Sequence, residues 1–277
     1  MSHGSILAAA AAAAIIPHAA AGQITCPRSP TLPAYAHNDH ENSRPLHQAL
    51  ALGYRGVEAD LVLRGGELRA AHSGAESQAG RTLETMYLRP LRAILHQCSR
   101  VLNPTTALLL NLELKERSRA AYDSLLALLA RYSDLFEVHP PQSMAAVEIV
   151  LVGWSPPPHE ARTPIERRLG SQYRITTLTS TSVPHLTESV RLVSVDYGKT
   201  IGWSGRGPVP QRAGTWLSRV RDVKGTSRRY LARAYNAPAN AAVYRLLLEG
   251  GIDLIGTEDL GATHRVIRQL GWLDSRR

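Results

Sequence analysis

Beyond residue 30, short apolar runs rich in Val, Ile, Leu and Tyr alternate with stretches whose apolar residues recur every three or four positions. The runs AYAHN (34–38), GVEADLVL (56–63), ALLLNLELK (107–115), VEIVLVG (147–153), YRITTLT (173–179), RLVSVDYG (191–198), YLARAYN (230–236) and IDLIGTE (252–258) read as strands. Amphipathic helices are predicted at Pro45–Leu52, Leu83–Cys98, Arg119–Arg131, Pro210–Val223 and Asn240–Glu249. The weakest connection follows the fifth strand, where Pro184–Val190 allows a helix of about two turns. Strand and helix in regular alternation imply parallel strands with crossover helices. Eight such units fit a closed α/β barrel, a single (β/α)8 TIM barrel over residues 34–277, better than an open sheet. The Pro-rich SPPPHEARTP and the Gly-rich GKTIGWSGRGPVP both follow strands, so they read as long loops on the active face rather than as linkers.

Composition changes this picture at one end. With 44% hydrophobic and 20% charged residues the chain is ordinary for a globular domain. Its first 21 residues are apolar from Ile6 to Ile16, break at Pro17 and end in small residues at Ala19, Ala20 and Ala21, which is the layout of a signal peptide. No Lys or Arg precedes the apolar run, which departs from that layout. The expectation is a secreted or periplasmic protein with no transmembrane segment, in which residues 22–33 form an N-terminal extension. After export Cys26 and Cys98 would meet an oxidising compartment and could pair. The net charge of +9 favours anionic ligands; nucleic acid is not expected, and the oligomeric state is not readable.

The candidate chemistry begins in GVEADLVL. Side chains on a strand alternate faces, so Val57, Ala59, Leu61 and Leu63 share one side while Glu58, Asp60 and Val62 share the other. Two carboxylates about 5 to 7 Å apart repel by roughly 2 to 3 kcal/mol at an effective dielectric near 20. The third strand adds Asn111, Glu113 and Lys115, all of one parity. Adjacent strands lie about 4.8 Å apart, so Glu58, Asp60 and Glu113 can converge. One divalent cation would offset their repulsion. The donors are oxygens without Cys or paired His, so the ion is hard, Mg²⁺ or Ca²⁺. The competing reading is a buried ion network in which Lys115 and a nearby Arg neutralise the acids.

His37, with Asn38 and Asp39, ends the first strand, where barrels place their reactive groups. His72 depends on a turn. RGGE at 64–67 signals a hairpin whose second arm is LRAAH. A two-residue loop of Gly65 and Gly66 sets His72 opposite Ala59, away from the acids; a three-residue loop sets it opposite Glu58. A catalytic His72 therefore predicts the odd loop, a bulge, or a segment that leaves the sheet. Lys115, Asn38, Tyr197 and Trp203 are candidates to line a substrate pocket. His40 reads as a loop residue and His47 as a solvated helix residue, and Glu258 or Asp259 as the cap of the last helix.

The series AHND…ENS…PLHQALALGYRGVEADLVL…GELRAAHS…LNLELK resembles the phospholipase C-like phosphodiesterase superfamily, in particular the glycerophosphodiester phosphodiesterases. VSVDYGKTIGW and GIDLIGTEDL are similar to the phosphodiesterase-like proteins named after altered inheritance of mitochondria. The resemblance covers most of residues 34–260 and is weakest from 117 to 190. It implies a barrel with catalytic His37 and His72, metal ligands Glu58, Asp60 and Glu113, and Lys115 near the substrate phosphate. Two departures concern the substrate: Asn-Asp follows the first histidine where Arg-Gly is usual, and Ser73 follows His72 where Asp is common. The expected activity is hydrolysis of a small or lipid-derived phosphodiester, with His37 as base and His72 as acid. The alternative is a barrel that binds phosphorylated or polyanionic surface ligands without turnover.

Overall fold

A computed structural model describes residue 26 and residues 30–103, 105–116, 118–138, 144–153, 163–175, 190–227 and 230–272. The expected leader, residues 184–189 of the expected short helix and most of the Pro-rich loop lie outside the described residues, and Val190 is already strand. Eight parallel strands close a barrel: β1 (Leu32–Ala36), β2 (Tyr54–Arg64), β4 (Leu108–Leu114), β5 (Val147–Gly153), β6 (Gly170–Ile175), β7 (Val190–Asp196), β8 (Leu231–Tyr235) and β9 (Leu254–Thr257). The pairing of β1 with both β2 and β9 joins the ends of the sheet. β3 (Glu67–Ala70) lies outside this ring as an antiparallel arm on β2. The expected (β/α)8 architecture is the one found.

The helices are α1 (His47–Ala51), α2 (Arg89–Cys98), α3 (Arg119–Ala130), α4 (Tyr197–Thr200), α5 (Gln211–Gly225), α6 (Ala241–Glu249) and α7 (Leu260–Leu270). The predicted helix from Leu83 is present, but its first turns widen into a π segment over Glu84–Leu88 before α2 begins. Starts follow capping chemistry: Ser118 accepts from the Ala121 amide ahead of α3, and Asn240 accepts from Ala242 and Val243 ahead of α6. Of the two acidic candidates before α7, Asp259 is the cap, accepting from Ala262 at 2.8 Å.

Strand alternation divides the barrel wall in two. Outward residues such as Val57, Ala59, Leu61, Leu108, Leu110 and Leu112 are buried against the helices in one continuous apolar core. Inward residues start apolar, with Tyr35, Leu109, Val150, Leu192, Leu231 and Leu254 packed at one level. Gly56 shares this lumen because a Cβ there would stand 2.5 Å from the Tyr35 ring. Toward the carboxyl ends of the strands the inward positions become Glu58, Asp60, Asn111, Ser194 and Arg233, all buried.

Cys26 and Cys98 form a disulfide that ties the N-terminal approach to the end of α2, closing a separation of 72 residues. In the chain-entropy account, a loop of that length is worth about 4 kcal/mol.

Candidate active site

The register of β2 against β4 pairs Glu58 with Asn111 and Asp60 with Glu113, so the acids of both strands stand side by side at the carboxyl end of the barrel. One oxygen from each of Glu58, Asp60 and Glu113 lies within 4.8 Å of the other two. The expected convergence is therefore present, and so are the cations of the competing reading. Arg233 Nη1 lies 2.7 Å from Glu58 Oε2, and Lys115 Nζ lies 2.9 Å from Asp60 Oδ2 and 3.2 Å from Glu113 Oε1. In these contacts two permanent cations serve three carboxylates. The buried Asp60 Oδ1 has no hydrogen-bond partner among the described residues.

These two facts fit a divalent cation. Three carboxylates with oxygens within reach of one another, and an Asp60 oxygen buried without a hydrogen bond among the described residues, make a donor set that a hard ion would satisfy. Opposite ligand oxygens stand about 4.6 to 5.2 Å apart around Ca²⁺ and about 4.0 to 4.2 Å around Mg²⁺, so a spacing of up to 4.8 Å falls within the span of Ca²⁺, while Mg²⁺ requires every pair to close to about 4.2 Å. The electrostatics of the site are already tuned by its own residues. Burial pushes the Glu58 carboxyl up, but the charge of Arg233, then His37, pulls it further the other way, and it ends below the ordinary carboxylate range. Burial pulls Lys115 down, yet its bonds to Asp60 and Glu113 leave it above the usual lysine value.

Both predicted histidines reach this cluster by different routes. β1 stops at Ala36, and the His37 amide continues its ladder by donating to the Thr257 carbonyl at 2.8 Å. The His37 ring presents Nδ1 to Glu258 Oε1 at 3.1 Å, which turns Nε2 toward Glu58 Oε2, 4.0 Å away. Glu258 also accepts from Asn38 Nδ2 at 3.2 Å, fixing two adjacent residues with one carboxylate. The chain then turns through Asn38 in the left-handed region and a strained Leu46 (φ 61°, ψ −55°). Asp39 holds that turn, accepting from the Leu46 amide at 2.6 Å and the Tyr87 hydroxyl at 3.0 Å.

For His72 the hairpin uses the even loop: Arg64 pairs with Glu67 and Leu61 with Ala70, with Gly65 and Gly66 between. In continued register His72 would face Ala59. Instead β3 ends at Ala70 and the chain leaves the sheet, the third of the three expected routes, and His72 Nδ1 comes to 2.8 Å from Asp60 Oδ2. Its side chain is 61% exposed, so the ring opens to solvent while its other nitrogen is anchored.

The structure adds partners to the site. Arg233 crosses the lumen to Glu58, Glu258 orients His37, and Tyr235 sets its ring 6.0 Å from that of His37. His40 lies in the loop after β1, as expected, and is buried there; its Nδ1 lies 3.4 Å from the Asp60 amide, beyond the point where β1 stops pairing with β2. Burial lowers its pKa, in spite of the acids around it. Lys115 stands with the cluster, and the Asn38 side-chain amide donates to Glu258 beside His37. Tyr197 and Trp203 lie in the segment after β7, where the buried Tyr197 hydroxyl donates to the Trp203 carbonyl at 2.6 Å and the Trp203 indole donates to the Arg206 carbonyl at 2.8 Å. Those bonds shape the loop.

Residues 28–110 match the family model described as the AIM6-like phosphodiesterase domain. The matched stretch contains His37, Glu58, Asp60 and His72 and ends before Glu113 and Lys115. It bears out the resemblance, drawn from the motifs, to the phosphodiesterase-like proteins named after altered inheritance of mitochondria. No curated protein matches the sequence. Among solved structures, a glycerophosphodiester phosphodiesterase from Agrobacterium tumefaciens aligns at 12% identity over 84% of this chain and 97% of its own, with a TM-score of 0.49. A putative glycerophosphoryl diester phosphodiesterase from the same organism aligns at 10% identity over 88% and 99%, TM-score 0.49. The tryptophan synthase alpha chain of Legionella pneumophila aligns at 12% over 87% and 93%, TM-score 0.46. Alignments this loose do not separate one barrel enzyme from another.

Proposed function

We propose that the protein is a metal-dependent phosphodiesterase that hydrolyses a glycerophosphodiester or a lipid-derived head-group diester. The observation that carries this reading is the convergence of Glu58, Asp60 and Glu113 oxygens within 4.8 Å beside two imidazoles and an ammonium, at the strand ends of a barrel. Glu58, Asp60 and Glu113 would hold one Mg²⁺ or Ca²⁺, and a bound cation supplies positive charge against the nonbridging oxygens of the diester. Asp60 suits this task through Oδ1, since Oδ2 is occupied by Lys115 and His72.

The chain's own groups do the rest. Lys115 lends charge to the phosphate oxygens, and Asn38, next to His37 in the chain and bonded to the same Glu258, is a candidate neutral donor to the substrate. His37, whose Nδ1 is committed to Glu258, removes a proton from the attacking water or hydroxyl through Nε2. His72, tied to Asp60 by Nδ1 and open to solvent on its far side, protonates the departing alkoxide. Tyr197 and Trp203 act on the substrate through the shape of the loop they brace.

Export is part of the proposal. The Cys26–Cys98 disulfide is suited to an oxidising compartment, and N-terminal sequencing of protein recovered outside the cytoplasm would begin at Gly22. Activity is tested with bis(p-nitrophenyl) phosphate in Mg²⁺ or Ca²⁺, in EDTA, and with Glu58→Gln. Turnover that needs the cation and Glu58 is expected. Equal rates in every arm would remove the cation from the account, and no turnover across a broad diester panel would leave a barrel that binds phosphorylated or polyanionic ligands.

A further inference from the structure

Arg233 lies mid-strand on the inner face of β8, between Leu231 below and Tyr235 above, and is 2% exposed. A guanidinium stripped of water is costly to bury, and an apolar side chain is what a barrel lumen ordinarily takes at such a position. The surrounding residues are arranged to accommodate it. Its register neighbour on β7 is Ser194, a small buried residue that leaves space for the long side chain. The guanidinium rests 4.5 Å from the centre of the Tyr35 ring, whose own position depends on Gly56, and 5.0 Å from that of Tyr235. From this stack Nη1 reaches Glu58 Oε2 at 2.7 Å, joining β8 to β2 across the lumen. Tyr235 in turn borders His37.

We propose that Arg233 is a positioning residue, a permanent counter-charge that grips Glu58 by Oε2 and keeps the carboxylate aimed at the cluster whether or not a divalent cation is bound. The role of Glu58 as a ligand rests on the cation reading above; the tether does not. Two consequences follow from the geometry. The fold does not depend on the ion, because Glu58 is never left without a partner. When Arg233 is removed, Glu58 loses its permanent counter-charge and keeps only His37, 4.0 Å away and charged only when protonated, so a divalent cation supplies more of the compensation and ion binding and folding become coupled.

The test compares thermal unfolding of wild type, E58Q, R233M and E58Q/R233M, first in EDTA and then in saturating Mg²⁺ or Ca²⁺. In EDTA, R233M is expected to be the least stable and the double variant to regain most of the loss, because neutralising both partners leaves no unmatched buried charge. Losses that simply add would overturn the proposal and make Arg233 a packing residue. If R233M does not fold, folding of E58Q/R233M supports the tether and failure of both overturns it. Added cation is expected to raise the melting temperature of R233M by about 5 °C more than that of wild type; equal nonzero rises would overturn the coupling. If calorimetry finds no cation bound to wild type, the cation reading fails, and the comparison in EDTA decides the tether by itself.

Discussion

The two faces of β2 and β4 pass through the same barrel wall and obey different rules. Outward, Val57, Ala59, Leu61, Leu108, Leu110 and Leu112 meet helices, and the only requirement is apolar volume. Inward, Glu58, Asp60, Asn111 and Glu113 crowd like charges and buried amides together, an arrangement that lowers stability unless each group finds a specific partner. Residues one position apart thus separate what holds the barrel from what it does.

The sharpest way to break that division is to remove the proton carriers. His37→Ala and His72→Ala are each expected to lower turnover by about 10² to 10⁴ with the melting temperature nearly unchanged; steady-state kinetics and thermal scans on the same samples check this. On β4 the contrast is between neighbours. Leu110→Ala, on the outer face, is expected to cost about 2 to 5 kcal/mol in urea unfolding while activity per folded molecule stays at the wild-type level. Glu113→Gln, on the inner face, reverses the pattern, with a loss of activity of about 10²-fold and a stability change within about 1 kcal/mol.

A pH series sharpens the inner face further. The Glu58 pKa is depressed in the folded protein, so its contribution is present above the unfolded carboxylate value, about 4.3, and is lost as pH falls through the folded value. Urea unfolding between neutrality and acid is therefore expected to lose stability more steeply in wild type than in Glu58→Gln. The smallest effect belongs to the outer shell: Asn240→Ala removes the acceptor for two amides of α6 and is expected to cost about 1 kcal/mol with no change in kcat.

The outer face was the legible part. Runs such as ALLLNLELK announce both a buried strand and, by parity, the side on which Glu113 and Lys115 stand. The same parity was available for Arg233, since in YLARAYN the alternation places Leu231, Arg233 and Tyr235 opposite Ala232 and Ala234. A charge inside an apolar strand was the signal, and it was as plain as in GVEADLVL. Glu258 carried no such mark. It stands next to Asp259, either could cap a helix, and only the closing of the barrel brings it to Asn38, 220 residues away in the chain. His72 was half legible: two glycines fix an even loop, but nothing local says that the strand stops at Ala70 and swings the ring back to Asp60. The loop position of His40 was legible but its burial was not, because that depends on β1 ending early and leaving the Asp60 amide for a side chain to take.

The central claim is that one divalent cation belongs among the oxygens of Glu58, Asp60 and Glu113. A crystal grown in Mg²⁺ or Ca²⁺, with Mn²⁺ exchanged in for its anomalous signal, tests it most directly. The expected result is one peak bonded to all three carboxylates at about 2.0 to 2.6 Å. Density that leaves these acids held by Lys115 and Arg233 alone, with no ion among them, would contradict it.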